Sequence, residues 1–252
     1  MQARYTFSMR PTLLCLHGWG GSKESWTPLR ESLDDADIEI LTPDLPGFGD
    51  EPDPPRPWTV DDYAAWIRNW TADNRTGKGP LWIIGHSHGG RTAIVIAAKE
   101  ILPVDRLFLC APAINRKQRY HVRRVVGVTL ARTGKFFLSI PVLSTLAPVA
   151  RKLLYKLLRV HDYERASPTM QRTLVLVTKD DLTPLLPTIT QPVDLFWGTD
   201  DTQTPISDAH HMQTFLPHCE AHFYAGTRHA VHKTNVREIA IIIRQRLRAR
   251  PA

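Results

Sequence analysis

Residues 83–92 read IIGHSHGGRT, a serine between two histidines with glycines close on either side. A serine hydroxyl becomes a strong nucleophile only when a base takes its proton, and that base needs a carboxylate to fix its tautomer and balance its charge. The stretch Gly85-His86-Ser87-His88-Gly89 follows an apolar run and precedes another, RTAIVIAAKEI. A strand ending near Gly85 and a helix starting near Gly89 leave Ser87 at the apex of a sharp, strained turn. The flanking positions must then be small, because larger side chains would strike the opposing strand or helix. Such a bend pushes the hydroxyl out at the carboxyl end of a sheet, where open α/β folds bind ligands.

Position selects the base from eleven histidines. His229 lies in GTRHAVH, directly after the last strand-like run, AHFYAG, and so at the same sheet edge as Ser87. His232, three residues on, is expected to pack nearby, whereas His210, His211, His218 and His222 lie in or beside the preceding unit. No pair of carboxylates or thiolates sits near His229 and His232 to complete a metal site, so no metal and no cofactor are expected. The acid should follow the preceding strand, where VDLFWGTDDTQTP offers Asp200 and Asp201. Successive side chains diverge near a strand end, so one of the two faces the histidine, and Asp201 is the choice. Attack on a carbonyl also creates an oxyanion, which needs fixed N–H donors. The backbone of His88 comes with the turn. Trp19, in the glycine-rich loop LHGWGGS at residues 16–22, is expected to supply the second.

The elements that must hold these groups are legible as alternation. Strand-length apolar runs, TLLCLHG, IEILTPD, LWIIGHS, RLFLCAP, VDLFWGT and AHFYAG, are separated by helical patterns. Runs buried on both faces and separated in this way predict an α/β, mostly parallel, doubly wound sheet. TVDDYAAWIRNW opens on a capping-box-like Thr59 and Asp62, NVREIAIIIRQRLR is an amphipathic helix, and DLPGFGDEPDPPRPW is a loop. Between the fourth and fifth strands lie about eighty residues of helical periodicity without strand-like alternation. This predicts a core of residues 1–112 and 190–252 and an inserted helical cap, or lid, of residues 113–189.

In order along the chain, LHGWGGSKESW, PDLPGFGD, GHSHGG, WGTDDTQTP and GTRHAVH resemble the α/β-hydrolase superfamily, in particular its small cap-bearing serine esterase-like members. The resemblance implies the α/β-hydrolase fold and a triad in the chain order Ser87, Asp201, His229. The family's Gly-x-x-Asp-x-x-x-Pro pattern runs here from Gly198 to Pro205 and selects Asp201; its His-x-x-His matches His229 and His232. The residue after His-Gly, Trp19, is the implied oxyanion donor. One departure is the short N-terminus, which implies a sheet edge trimmed to one strand at most. The implied reaction is carboxylic ester hydrolysis of small to medium acyl chains through an acyl-enzyme. Thioesterase, C–C bond hydrolase and a non-enzymatic ligand-binding or signalling protein on the same fold remain alternatives, because fold alone does not separate them.

Charge adds a further expectation. The 252-residue chain is formally +7, yet residues 113–161 hold eleven Lys and Arg and no Asp or Glu, leaving the remainder with 21 basic against 25 acidic residues. The positive charge thus belongs to the expected cap. Its partner is expected to be a small-molecule ester, with an acidic carrier protein or an anionic membrane surface as candidates for the basic lid. LHGWG together with a basic lid is similar to the pimeloyl-carrier-protein methyl esterases. No nucleic-acid reading motif accompanies the basic residues. Three separated cysteines, no signal-peptide-like start and no span-length apolar run lead to the expectation of a cytoplasmic chain without a transmembrane segment.

Overall fold

The computed structural model describes residues 10–114 and 166–249. Six strands form one parallel sheet in the order β2-β1-β3-β4-β5-β6. They are β1 (Thr12–Leu16), β2 (Glu39–Leu41), β3 (Leu81–His86), β4 (Val104–Cys110), β5 (Val193–Gly198) and β6 (Cys219–Tyr224). Strands β1, β3 and β5 are buried along their whole length, as expected of apolar runs covered on both faces. The six strands pair in parallel throughout, and the expected trimmed edge before β1 falls on residues 1–9, outside the described residues.

The helices are α1 (Thr27–Ser32), α2 (Val60–Asn74), α3 (His88–Ala98), α4 (Pro168–Lys179), α5 (Ile206–Phe215), α6 (Val231–Thr234) and α7 (Val236–Arg248), with 3-10 turns at Lys23–Trp26 and Thr183–Thr188. Helix α1 packs with α7, and α2 packs with α3, so the helices fall into two groups. Right-handed crossovers place those groups on opposite faces, because the winding reverses between β1 and β3. Helix α2 begins where the capping box predicts: the Thr59 hydroxyl accepts from the Asp62 N–H while the Asp62 carboxylate accepts from the Thr59 N–H. The core joins the strands to Trp26, Tyr63, Ile94, Ile96, Leu186 and Ile243.

Register aligns the strand ends that matter. Leu16 of β1 pairs with Gly85 of β3, His86 with Cys110 of β4, Cys110 with Phe196 of β5, and Gly198 with Tyr224 of β6. The loops after β1, β3, β5 and β6 therefore open at one edge, with the reversal point between β1 and β3 in their midst.

Of the expected cap, residues 115–165 lie outside the described residues, and with them the periodic stretches RRVVGVTLARTGKFF and APVARKLLYKLLRV and the whole basic run. The rest of the expected cap contains α4 and the Thr183–Thr188 turn. Helix α4 rests on the core: Met170 packs against Gly47, and the Thr173 hydroxyl accepts from the Trp58 N–H at 3.0 Å. The three cysteines are free thiols, two of them buried.

Candidate active site

The turn at Ser87 is tighter than its sequence suggests. Strand β3 continues through His86 and α3 starts at His88, which leaves Ser87 as the only residue between them. It adopts φ +50°, in the region that L residues rarely occupy. Three backbone hydrogen bonds hold it there: its N–H donates to the Cys110 carbonyl, and its own carbonyl accepts from the Arg91 and Ala113 N–H groups. The two glycines are required by space. A Cβ at position 85 would lie 2.6 Å from the Gly89 carbonyl oxygen, and one at position 89 would lie 2.1 Å from that of Leu16.

The loop after β1 closes over this turn. A Cβ at Gly18 would sit 2.6 Å from His86 Nδ1 and 3.4 Å from Ser87 Cβ, so the loop backbone lies directly against the serine. The Trp19 ring packs edge-on against His88, at 5.6 Å between centroids, and against Phe48 at 4.9 Å. Trp19 thus stands over the first turn of α3, whose leading N–H groups point out of the helix N-terminus. His17 fastens the loop from below. Its Nδ1–H donates to the Gly18 carbonyl at 2.8 Å, and its Nε2 accepts from the Leu45 N–H at 2.9 Å. Burial pushes this imidazole below its usual range despite the Gly18 carbonyl and the nearby Asp44 charge, so it remains a neutral strut.

Asp201 and His229 meet at the same edge. His229 Nδ1–H donates to Asp201 Oδ2 at 2.7 Å, and Asp201 Oδ1 accepts from the N–H groups of Gln203 and Thr204 at 2.7 and 3.0 Å. Burial alone would raise this carboxyl, but the His229 hydrogen bond and charge and the Thr204 hydrogen bonds outweigh it and hold it below the ordinary carboxylate range. Asp200 is exposed and accepts from the Thr199 hydroxyl. The two neighbours diverge as the strand end requires.

The base is tied to the elbow through the residue before Ser87. His86 Nε2–H donates to the His229 carbonyl at 3.0 Å, and the two rings lie 4.8 Å apart. On its other side His86 stacks on His232 at 3.9 Å, and His232 in turn meets the Trp26 ring at 5.1 Å. Burial pushes both His86 and His232 down, the latter to about 3, so neither competes as a charged group beside His229. The Ser87 hydroxyl and the His229 ring are not hydrogen-bonded to each other here; such contacts commonly tighten only when substrate is bound.

A family profile described as alpha/beta hydrolase fold matches residues 11–236. The chain belongs to the alpha/beta hydrolase fold family. A protein of Mycobacterium tuberculosis is 26% identical over 243 residues, covering 87% of this chain and 70% of that one. The pimeloyl-(acyl-carrier protein) methyl ester esterase of Aromatoleum aromaticum is 25% identical over 251 residues, covering 93% of this chain and 97% of that one. Among solved structures, a thermophilic esterase from Thermogutta terrifontis superposes with a TM-score of 0.67 at 23% identity, covering 95% of this chain and 89% of that one, a likeness of fold.

Three side chains at this hydrolase-fold edge were not singled out by sequence. His17 and His86 were visible only as neighbours of motif residues, and Thr204 only as a turn residue before Pro205. Each acts through a contact with a loop remote in sequence. One cluster of metal-ligand types occurs among the described residues: Asp194, Glu220 and His222, near the opposite end of β5 and β6. Asp194 is fully buried and accepts from Arg106 at 2.8 Å, Arg246 at 2.6 Å and His222 at 3.0 Å. Its charge is balanced by two guanidinium groups, so the cluster reads as a structural ion-pair network joining β4, β5, β6 and α7. Among the described residues, no helix is long and apolar enough to cross a membrane.

Proposed function

We propose that the protein is a serine hydrolase that cleaves carboxylic esters of small to medium acyl chain through an acyl-enzyme. The observation that carries the reading is the Asp201–His229 pair at 2.7 Å, tied through His86 to a positive-φ serine at the apex of a strand-to-helix turn. Ser87 Oγ attacks the acyl carbon and its proton passes to His229 Nε2. Asp201 holds the Nδ1–H tautomer and balances the imidazolium that forms. The backbone N–H groups of Trp19 and His88 receive the oxyanion; the packing of Gly18 against Ser87 and of Trp19 against His88 supports that assignment. His229 then protonates the departing alcohol, and a water molecule repeats the sequence to free the acid and regenerate Ser87.

Hydrolysis of p-nitrophenyl acetate and butyrate tests this directly. Burst release by the parent protein and its loss in Ser87→Ala are expected. No acyl-enzyme in the parent would favour a ligand-binding protein on the same fold. A panel of esters of increasing acyl length then defines the chain-length preference.

A second reading is favoured by the basic run of residues 116–159 and by likeness to the Aromatoleum esterase over nearly the full length of both chains. In it the substrate is an acyl group or its methyl ester on an acidic carrier protein that docks through that run. Charge reversal at Arg123 and Arg124 should raise KM for an acyl-carrier substrate and leave a small soluble ester unaffected. Equal effects on both substrates would contradict it.

A further inference from the structure

The Thr204 hydroxyl occupies a position that the triad reading leaves without a role. Its Oγ1 lies 2.7 Å from Asp201 Oδ2, 3.2 Å from His229 Nδ1 and 3.4 Å from the Ala111 carbonyl oxygen. Only 2% of the residue is exposed. Proton arithmetic fixes the roles. A hydroxyl has one hydrogen and two lone pairs, while the carboxylate and the carbonyl only accept. His229 Nδ1 must carry hydrogen to bond Asp201, so it is a donor. The Thr204 O–H therefore goes to Oδ2, the nearer and charged acceptor, and turns a lone pair toward Nδ1–H.

We propose that Thr204 is a positioning residue of this site, its hydroxyl fixing Asp201 Oδ2 and His229 Nδ1–H against one another. The inference rests on the triad reading above. Oδ1 is already held by two backbone N–H groups, so Oδ2 is the end whose place the hydroxyl decides. Thr204 is itself secured, since its carbonyl accepts from the Trp197 indole N–H at 2.7 Å. The Ala111 carbonyl, 3.4 Å away, receives no hydrogen from Thr204 once that proton is on Oδ2, so this contact is one of packing. One hydroxyl thereby references acid and base to each other. The other titratable groups around the base are the His86 and His232 rings, both neutral, and the exposed Lys233.

Thr204→Val keeps the shape and removes the hydroxyl, Thr204→Ser keeps the hydroxyl and removes a methyl, and Thr204→Ala removes both. For p-nitrophenyl butyrate, the Val and Ala variants should lose about tenfold in kcat with KM little changed, the scale of one charge-assisted hydrogen bond, while Ser stays near the parent. Equal losses in Val and Ser would overturn the proposal. So would a Val variant that melts earlier but keeps the parent kcat. Should Val fail to fold, the Ala and Ser pair, which differ only by the hydroxyl, carries the same comparison. A readout independent of turnover is the low-field proton resonance of His229 Nδ1–H. It should persist in Ser and be displaced or broadened in Val and Ala, and an identical signal in all variants would contradict the role. Absence of Ser87-dependent turnover in the parent would fall on the triad reading, with this resonance still deciding the place of Thr204.

Discussion

An imidazole serves as a base toward a hydroxyl only when its proton sits on the far nitrogen, and at His229 the buried Asp201 carboxylate enforces that tautomer. Replacement Asp201→Asn preserves size but presents an amide that can stabilise the wrong tautomer. We expect kcat/KM on p-nitrophenyl butyrate to fall by about three to four orders of magnitude. Asp200→Asn, at the exposed neighbour, should stay within about twofold, as for surface changes away from the site. A similar loss in both would mean that strand-end divergence had not separated them. The same logic explains which site residues were legible. Ser87 announced itself by flanking glycines, now seen to be forced by carbonyl oxygens within 2.6 Å of any added Cβ. His229 was chosen for lying just past the last strand; pleat alternation narrowed the acid to one of Asp200 and Asp201, and the family's Gly-x-x-Asp-x-x-x-Pro pattern selected Asp201. His17 and His86 were hidden because their roles are hydrogen bonds to other loops, and nothing in local spacing encodes a partner 28 or 143 positions away; Thr204 lies three residues from Asp201, but its approach to His229 is set only by the fold.

At the scale of elements, the neck of the expected cap is tied to the helix that follows the nucleophile. The Arg91 guanidinium, on the second turn of α3, is buried and donates to the carbonyls of Ala113, Ile114 and Asp180. These are the points where the chain leaves the core after β4 and comes back after α4, and the Leu182 N–H closes the neck by donating to the Ile114 carbonyl. Charge-assisted bonds of this kind are each worth about 1.5–3 kcal/mol, so Arg91→Ala should lower the unfolding free energy in urea by about 3 kcal/mol. A midpoint equal to that of the parent protein would mean the clasp is incidental. The strands and helices α2, α3 and α7 were legible because periodicity and caps are local properties: Thr59 with Asp62 marked α2, and apolar runs marked all six strands. Less of the turn at Ser87 was legible. The apolar pattern located it, but only pairing of His86 with Cys110 reveals that β3 runs up to the serine itself. The 3-10 turns at Lys23–Trp26 and Thr183–Thr188 carried no period long enough to read.

For the molecule as a whole, buried neutral histidines couple stability to acid. His86 and His232 are held below the ordinary histidine value of 6.5, so below that pH the unfolded chain binds protons that the folded chain refuses. Their contribution is intact above about pH 6.5 and is lost progressively as the pH falls, toward about 3 for His232. Asp201 and Asp194, both held low, add losses at still lower pH as their carboxylates protonate. His232→Asn should therefore flatten the fall of the unfolding free energy, measured in urea, between pH 6.5 and 4.5 by up to about 1.4 kcal/mol per pH unit, the limit for one proton. An unchanged slope would mean the ring is protonated in the folded state. The proposed function depends on four loops meeting at one sheet edge to make a single activated hydroxyl, and a fluorophosphonate reads that claim most directly. Mass spectrometry of the treated protein should find one phosphonyl group per chain, on the peptide containing Ser87, formed at a rate that collapses in Asp201→Asn and absent in Ser87→Ala. Labelling at another residue, or ester hydrolysis persisting in Ser87→Ala, would contradict the account.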